Sequence, residues 1–305
     1  MHPSFQHTEP DLETLLRSRP LPRTRQRVRL QGLLYALTAL TTFAAGAVGW
    51  QPLLLGVDDA DIASAVQEHW GRGLIYAAAV MAVLTAHEAG HFIAAKLHGI
   101  PATLPFFIPM PILLTGTLGA VIGMEGSRAD RRQLFDIAVA GPLAGLVVAI
   151  PLMTLGLMMG TVGEANPFAL APLAAWLQSL VRPDVPTGMT VAPNPLFMAG
   201  WVGLLVTGLN MIPVSQLDGG HICYAVFGRK GNWVARSVLL ASILTVIISG
   251  QTNWVALVVI VTFLGVDHPP IREERQPLNA FRTALGIACF LIPIVTFMPE
   301  PLRID

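Results

Sequence analysis

The chain divides into long apolar runs separated by shorter polar segments. Leu33–Trp50 is a run of 18 uncharged residues. Gly73–Ala95 is a second run, bounded by Arg72 and Lys96, and Ile137–Gly163 is a third. Leu196–Ile212 is a fourth, closed by Pro213. Ser237–Val266 contributes 30 uncharged residues with Gly250-Gln251-Thr252-Asn253 near its middle, and Thr283–Met298 is the last run. A helix needs about 20 mostly apolar residues to cross a bilayer. The pattern therefore predicts an all-α polytopic membrane protein with about 6–7 transmembrane helices. One apolar stretch resists a helix: Pro101–Gly123 carries Pro101, Pro105, Pro109, Pro111 and several glycines, and proline inside a helix removes a hydrogen bond and clashes with the preceding turn. Leu118–Met124 can pair as a strand instead. Irregular backbone at membrane depth survives only where protein or a water-filled cavity covers it, so a membrane-embedded hairpin is expected directly after the second run.

The polar segments suggest a topology. Residues 1–30 form a basic arm with Arg17, Arg19, Arg23, Arg25, Arg27 and Arg29. A basic segment before an apolar run also describes a signal peptide, but this run is too long and too late in the chain, so an uncleaved first helix is expected. An acidic loop with Asp58, Asp59, Asp61 and Glu68 follows. A Pro- and Ala-rich outer loop, with a short surface helix near Leu170–Leu180, is expected over residues 164–195. Basic clusters lie at Arg128, Arg131 and Arg132, at Arg229, Lys230 and Arg236, and at Arg272, Arg275 and Arg282. If the 30-residue run turns at 250–253, all of them lie on the side of the N-terminal arm. The positive-inside bias favours that turn, with about seven spans and a cytoplasmic N-terminus.

Composition agrees with this class. Hydrophobic residues make up 53% of the chain and charged residues 12%, against about 25% charged in soluble domains. The lipid bilayer is the expected environment. The formal net charge of zero gives no basic surface for nucleic acid. The two cysteines, Cys223 and Cys289, form no Cys-x-x-Cys pair, which excludes a cysteine zinc site and a disulfide scaffold.

The informative chemistry is His87-Glu88-Ala89-Gly90-His91, inside the second run. Residues four apart share a helix face, so both imidazoles can address one zinc ion. Glu88 stands beside that face, where it can take a proton from zinc-bound water and pass it to a leaving amine. Three ionisable residues within five positions of a membrane span are a functional signal, because each is costly there. Two histidines and a water leave tetrahedral zinc one ligand short. Asp218, after the helix-breaking Pro213 and before Gly219-Gly220, is one candidate. Its alternative role is an N-cap of the next helix, and His221 is a rival ligand. A metal-ion transporter would spread its polar residues over several spans, whereas these cluster at one depth. A non-catalytic binding homologue would lack Glu88 or a ligand.

His87-Glu88-x-x-His91 followed by Asn210-x-x-Pro213-x-x-x-Leu217-Asp218-Gly219 resembles the site-2 protease family of intramembrane zinc metalloproteases. Gly141-Pro142-Leu143-Ala144-Gly145 is similar to that family's small-residue span. The resemblance covers roughly residues 73–225. It implies that Asp218 is the third ligand of a single Zn2+ and Glu88 the catalytic base. It also implies that Asn210 positions the peptide carbonyl, and that the hairpin around Gly116 and Gly119 holds an extended transmembrane protein substrate. Residues 31–299 would then be a transmembrane peptidase domain behind the 1–30 arm. The 164–195 loop has no room for a PDZ domain, and residues 299–305 none for a nucleotide-sensing module, so a minimal form is expected. With no transit-peptide composition, a bacterial inner membrane is the expected location. The other histidines have blander expectations: His2 and His7 in the arm, His69 in the outer loop, His268 at a cytoplasmic turn, His98 at the interface, and His221 behind the ligands.

Overall fold

The computed structural model describes residues 27–51, 59–124, 128–163, 167–186, 189–214, 216–250, 255, 258–259, 262, 265–268, 271, 277–298 and 300–302. Most of the basic arm, with Arg272 and Arg275, lies outside them. Helix α1 spans Val28–Ala47. It starts ahead of the uncharged run and takes in Arg29, whose long side chain can reach out of an apolar layer. Helix α2 spans Asp59–Leu97 with a kink at His69 (φ −121°, ψ 23°). The segment expected as an acidic loop is thus helical from Asp59 onward.

The proline-rich stretch forms an antiparallel hairpin of β1 (Phe106–Met110) and β2 (Gly116–Val121). The register pairs Phe106 with Val121 and Met110 with Gly116, with an irregularity between Phe107 and Pro109. The strand expected at Leu118–Met124 is therefore shifted, and Met124 joins only an isolated bridge to Ala102. The hairpin is covered by protein, as its exposed backbone groups demand. Gln31 of α1 donates to the Leu104 carbonyl (2.7 Å). Tyr76 of α2 donates to the Thr115 carbonyl (3.0 Å), and Tyr35 meets Phe107 edge-on at 4.8 Å. Gly116 has φ +75° and lies against the Thr41–Thr42 backbone of α1, where a side chain would collide.

Helix α3 spans Arg131–Met159, opened by a capping box between Asp130 and Gln133. Strands β3 (Val162–Gly163) and β4 (Thr190–Val191) pair across the next connection. Helix α4, Pro172–Val181, matches the expected surface helix. Helix α5 spans Pro195–Asn210, 16 residues. It is largely buried and shorter than the about 20 residues of a typical crossing helix, so it is not among the four long apolar stretches below. Helix α6 (Asp218–Phe227) leads through a 3-10 turn at Gly228–Lys230 into α7 (Gly231–Ser249). Helix α7 stops at Gly250 in the left-handed conformation (φ 69°). This is where the sequence places its turn, although residues 251–254 are not described. The expected final span is two pieces, α8 (Ala280–Cys289) and α9 (Leu291–Thr296). Pro293 has no N–H to offer the Cys289 carbonyl four residues back, so the ladder breaks near Phe290.

The molecule is thus mostly helical. Among the described residues, four stretches are long and apolar enough to cross a membrane: Val28–Ala47, Ile62–Leu97, Arg131–Met159 and Asp218–Ile248. The last is interrupted at the 3-10 turn, where Arg229 and Lys230 sit. Outward apolar side chains such as Ile93, Val147 and Ile248 are exposed, as contact with lipid requires. Helices α2, α3 and α5 pack together around Tyr76, Met153, Leu157, Phe197 and Trp201. A second cluster joins Leu134, Phe135 and Ile137 of α3 to Ile222 and Tyr224 of α6.

Candidate metal centre

His87 and His91 stand one turn apart on α2, with ring centroids 4.9 Å apart and Nε2 atoms 3.2 Å apart. Asp218, the first residue of α6, reaches both. Its Oδ2 lies 3.2 Å from His87 Nε2 and its Oδ1 3.3 Å from His91 Nε2. The residue before it, Leu217, occupies the N-cap position, so the carboxylate is not used as the cap of its own helix. His91 Nδ1 lies 2.8 Å from the Ile137 carbonyl of α3. A carbonyl only accepts, so Nδ1 carries the hydrogen and Nε2 keeps its lone pair. A tetrahedral ion with bonds of about 2.0–2.1 Å sets its ligand atoms roughly 3.3–3.4 Å apart. The spacings here match that figure closely. Asp218 Oδ2 is also buried without an acceptable hydrogen bond, a costly arrangement unless a cation faces it. The three residues therefore fit one metal ion, and the group is the His87, His91 and Asp218 cluster.

Glycines create the space for this group. On α3, a Cβ at Gly141 would overlap the His91 imidazole, and one at Gly145 would sit 3.1 Å from His87 Nδ1. Gly90, between the histidines, faces the backbone of Ala140 and Gly141. The small-residue patch does permit close packing, and in doing so it leaves room for both rings. Gly219 lies against the Met211 and Ile212 carbonyls, which seats Asp218 at the end of α5. Asn210, the last residue of α5, brings its Nδ2 to 3.4 Å from His87 Nε2.

A cavity of about 430 Å³ opens on the group. Glu88, buried at 4% exposure, lines it together with His87, His91, Asn210 and Asp218. The hairpin contributes Ala120, Val121 and Ile122, whereas Gly116 and Gly119 are not in the lining. His98 pairs with Asp136 at 3.1 Å, away from the metal group. His221 lies outside the metal group and pairs with His268, Nδ1 to Nε2 at 2.6 Å. His268, expected at a cytoplasmic turn with no part in the site, is buried and lines the cavity. Its position depends on a loop far along the chain, and no local motif marked it. Next to it, hydrogen bonds from Arg236 hold the Asp267 carboxyl below the usual carboxylate range.

The fold and site define a helical membrane protein with a buried His-His-carboxylate centre beside a glutamate. Residues 75–249 match the model of Peptidase family M50, and the chain belongs to that family, the site-2 proteases. The chain is similar to "Probable zinc metalloprotease EGY2, chloroplastic" of Arabidopsis thaliana, 33% identical over 240 residues, covering 75% of this chain and 42% of that protein. It is also similar to "Probable zinc metalloprotease EGY1, chloroplastic" of Oryza sativa subsp. japonica, 29% identical over 236 residues, covering 72% and 39%. "Probable zinc metallopeptidase EGY3, chloroplastic" of Arabidopsis thaliana is 28% identical over 242 residues, covering 72% and 42%. The chain spans less than half the length of these relatives. No solved structure matches it. The relatives are chloroplastic by name, so they lend no support to the bacterial inner membrane expected from the sequence.

Proposed function

We propose that the chain is a zinc metalloendopeptidase that hydrolyses a peptide bond in or near a transmembrane segment of a membrane-protein substrate. The observation that carries this reading is the convergence of His87, His91 and Asp218 in one buried cavity with Glu88. Zinc held by the three residues would lower the pKa of water towards neutrality and polarise the scissile carbonyl. Glu88 takes a proton from the attacking water as the new C–O bond forms, and delivers it to the amide nitrogen as the C–N bond breaks. The Asn210 amide, beside His87, is suited to donate to the carbonyl oxygen as it gains charge.

An extended segment can add to the hairpin as a further strand. We assign that contact to Ala120–Ile122, which line the cavity, while Gly116 and Gly119 shape the hairpin behind them. A helical substrate must unwind locally, because its carbonyls are otherwise hydrogen-bonded. Residues 31–299 act as one peptidase unit, and the basic arm at 1–30 marks the cytoplasmic side. The decisive experiment is Glu88→Gln in purified full-length protein, with zinc content and cleavage of a model transmembrane substrate measured together. The expected result is retained zinc with cleavage lost by about 10²–10⁴-fold. Unchanged cleavage would overturn the mechanism.

A further inference from the structure

Two of the cavity's four imidazoles take no part in the metal group. His221 lies three residues beyond Asp218 on α6, so it shares a helix face with the carboxylate. It is therefore next to whatever binds at the centre. His268 comes from a different part of the chain, and several contacts immobilise it. Its ring stacks on the buried Tyr224 (centroids 4.3 Å apart, 16° between planes). Its backbone N–H donates to Asn232 Oδ1 (3.3 Å). The preceding residue, Asp267, is gripped by the Arg236 guanidinium through bonds of 2.9 and 2.5 Å.

The short contact between the two rings has a chemical consequence. At 2.6 Å, His221 Nδ1 and His268 Nε2 must share one hydrogen, since two lone pairs or two N–H groups would repel. One nitrogen donates and the other accepts, which couples the tautomers of the two rings. Among the described residues, nothing hydrogen-bonds His221 Nε2. A buried polar pair is costly unless its groups are satisfied. An imidazole held by a fixed partner at the cavity, with a ring nitrogen to spare, is suited to a ligand of that cavity. The hairpin residues Ala120–Ile122 line the same cavity, and the strand edge beside them suits an extended peptide.

We propose that His221 is a substrate-contacting residue that hydrogen-bonds the peptide backbone next to the scissile bond, and that His268 is the positioning residue that holds its ring in orientation through the shared hydrogen. This rests on the peptidase reading above. The test uses full-length protein carrying Glu88→Gln, so that a model transmembrane substrate binds without turnover, and measures the substrate Kd. His268→Phe keeps a ring to stack on Tyr224 but removes the shared hydrogen. His268→Gln restores a polar atom near the Nε2 position. The expected result is a Kd raised about tenfold by His268→Phe, equivalent to about 1.4 kcal/mol, and largely recovered by His268→Gln. Zinc content and Tm should stay at the parent's values. His221→Phe should weaken binding by a similar factor, and the double variant should be no worse than the weaker single, because the two residues act as one unit. An unchanged Kd in His268→Phe would overturn the proposal. So would weakening that tracks loss of zinc or of Tm, or that the Gln variant fails to rescue. Binding is read without turnover, so failure of hydrolysis by the protein with Glu88 intact would count against the peptidase reading and leave this test standing.

Discussion

The glycines behind the imidazoles allow a graded test of the centre. Gly141→Ala adds one methyl group where the His91 ring already stands. Ordinary carbon contacts lie near 3.5 Å, so ring and methyl must separate by about 1 Å. Helix α3 cannot easily yield, because the α2 backbone at Gly90 already touches Ala140 and Gly141. The ring must then turn or shift, and it loses its bond to the Ile137 carbonyl. Metal sites tolerate about ±0.2 Å in ligand position, so the displacement far exceeds that tolerance. Two energetic terms compete. Alanine is the better helix former, by about 1 kcal/mol. Overpacking costs about 1–3 kcal/mol and should outweigh it. Gly145→Ala is milder, since its Cβ would meet His87 Nδ1 at 3.1 Å, and a shift of a few tenths of an ångström relieves it. The assay is zinc per protein by plasma mass spectrometry, together with thermal unfolding. The expected order is wild type above Gly145→Ala, and Gly145→Ala well above Gly141→Ala, with zinc affinity in the last reduced more than the roughly 10–100-fold typical of outer-shell changes. A Gly141→Ala protein with full zinc and a raised Tm would refute the reasoning, because only an open space beside His91 would let the helix term win.

Two further predictions concern the carboxylates. Asp218→Asn replaces the proposed carboxylate ligand by a neutral amide and should lower zinc occupancy in dialysed protein, as treatment of the wild type with a chelator should; undiminished zinc would remove Asp218 from the proposed ligand set. Asp136 receives a bidentate bond from Arg282 (2.7 and 2.8 Å) and also meets His98, tying α8 to α3 and to the end of α2. For this partly exposed pair, Arg282→Ala should lower stability by about 1–2 kcal/mol without changing zinc content, read as a lower Tm in detergent.

The membrane class was legible in the long apolar runs and the scarcity of charge. Those are properties of composition, which any fold of this chain must satisfy. The His87–Glu88–His91 trio was equally legible, because helical periodicity alone puts the two imidazoles on one face. The hairpin could be foreseen from prolines that no helix accepts. Other features were not local. Asp218 had two readings in the sequence and a rival in His221, since spacing along the chain does not say what a carboxylate faces after a broken helix. Its distances to two imidazoles of α2 do, and they exist only because α5 ends where Gly219 can press against Met211. The short α5 and the split α8–α9 show that an apolar run can fold as a buried 16-residue helix or as two pieces. Burial against neighbouring helices satisfies the same side chains that lipid would. His268 was invisible from the sequence for the same reason, as a residue in a loop gains its role from the ring it meets. The sequence by itself determined the solvent of this protein and the zinc-type chemistry of one helix. Tertiary packing decided which carboxylate meets the two imidazoles, which glycines make room for them and which histidines share their cavity, because those depend on distances between segments far apart in the chain.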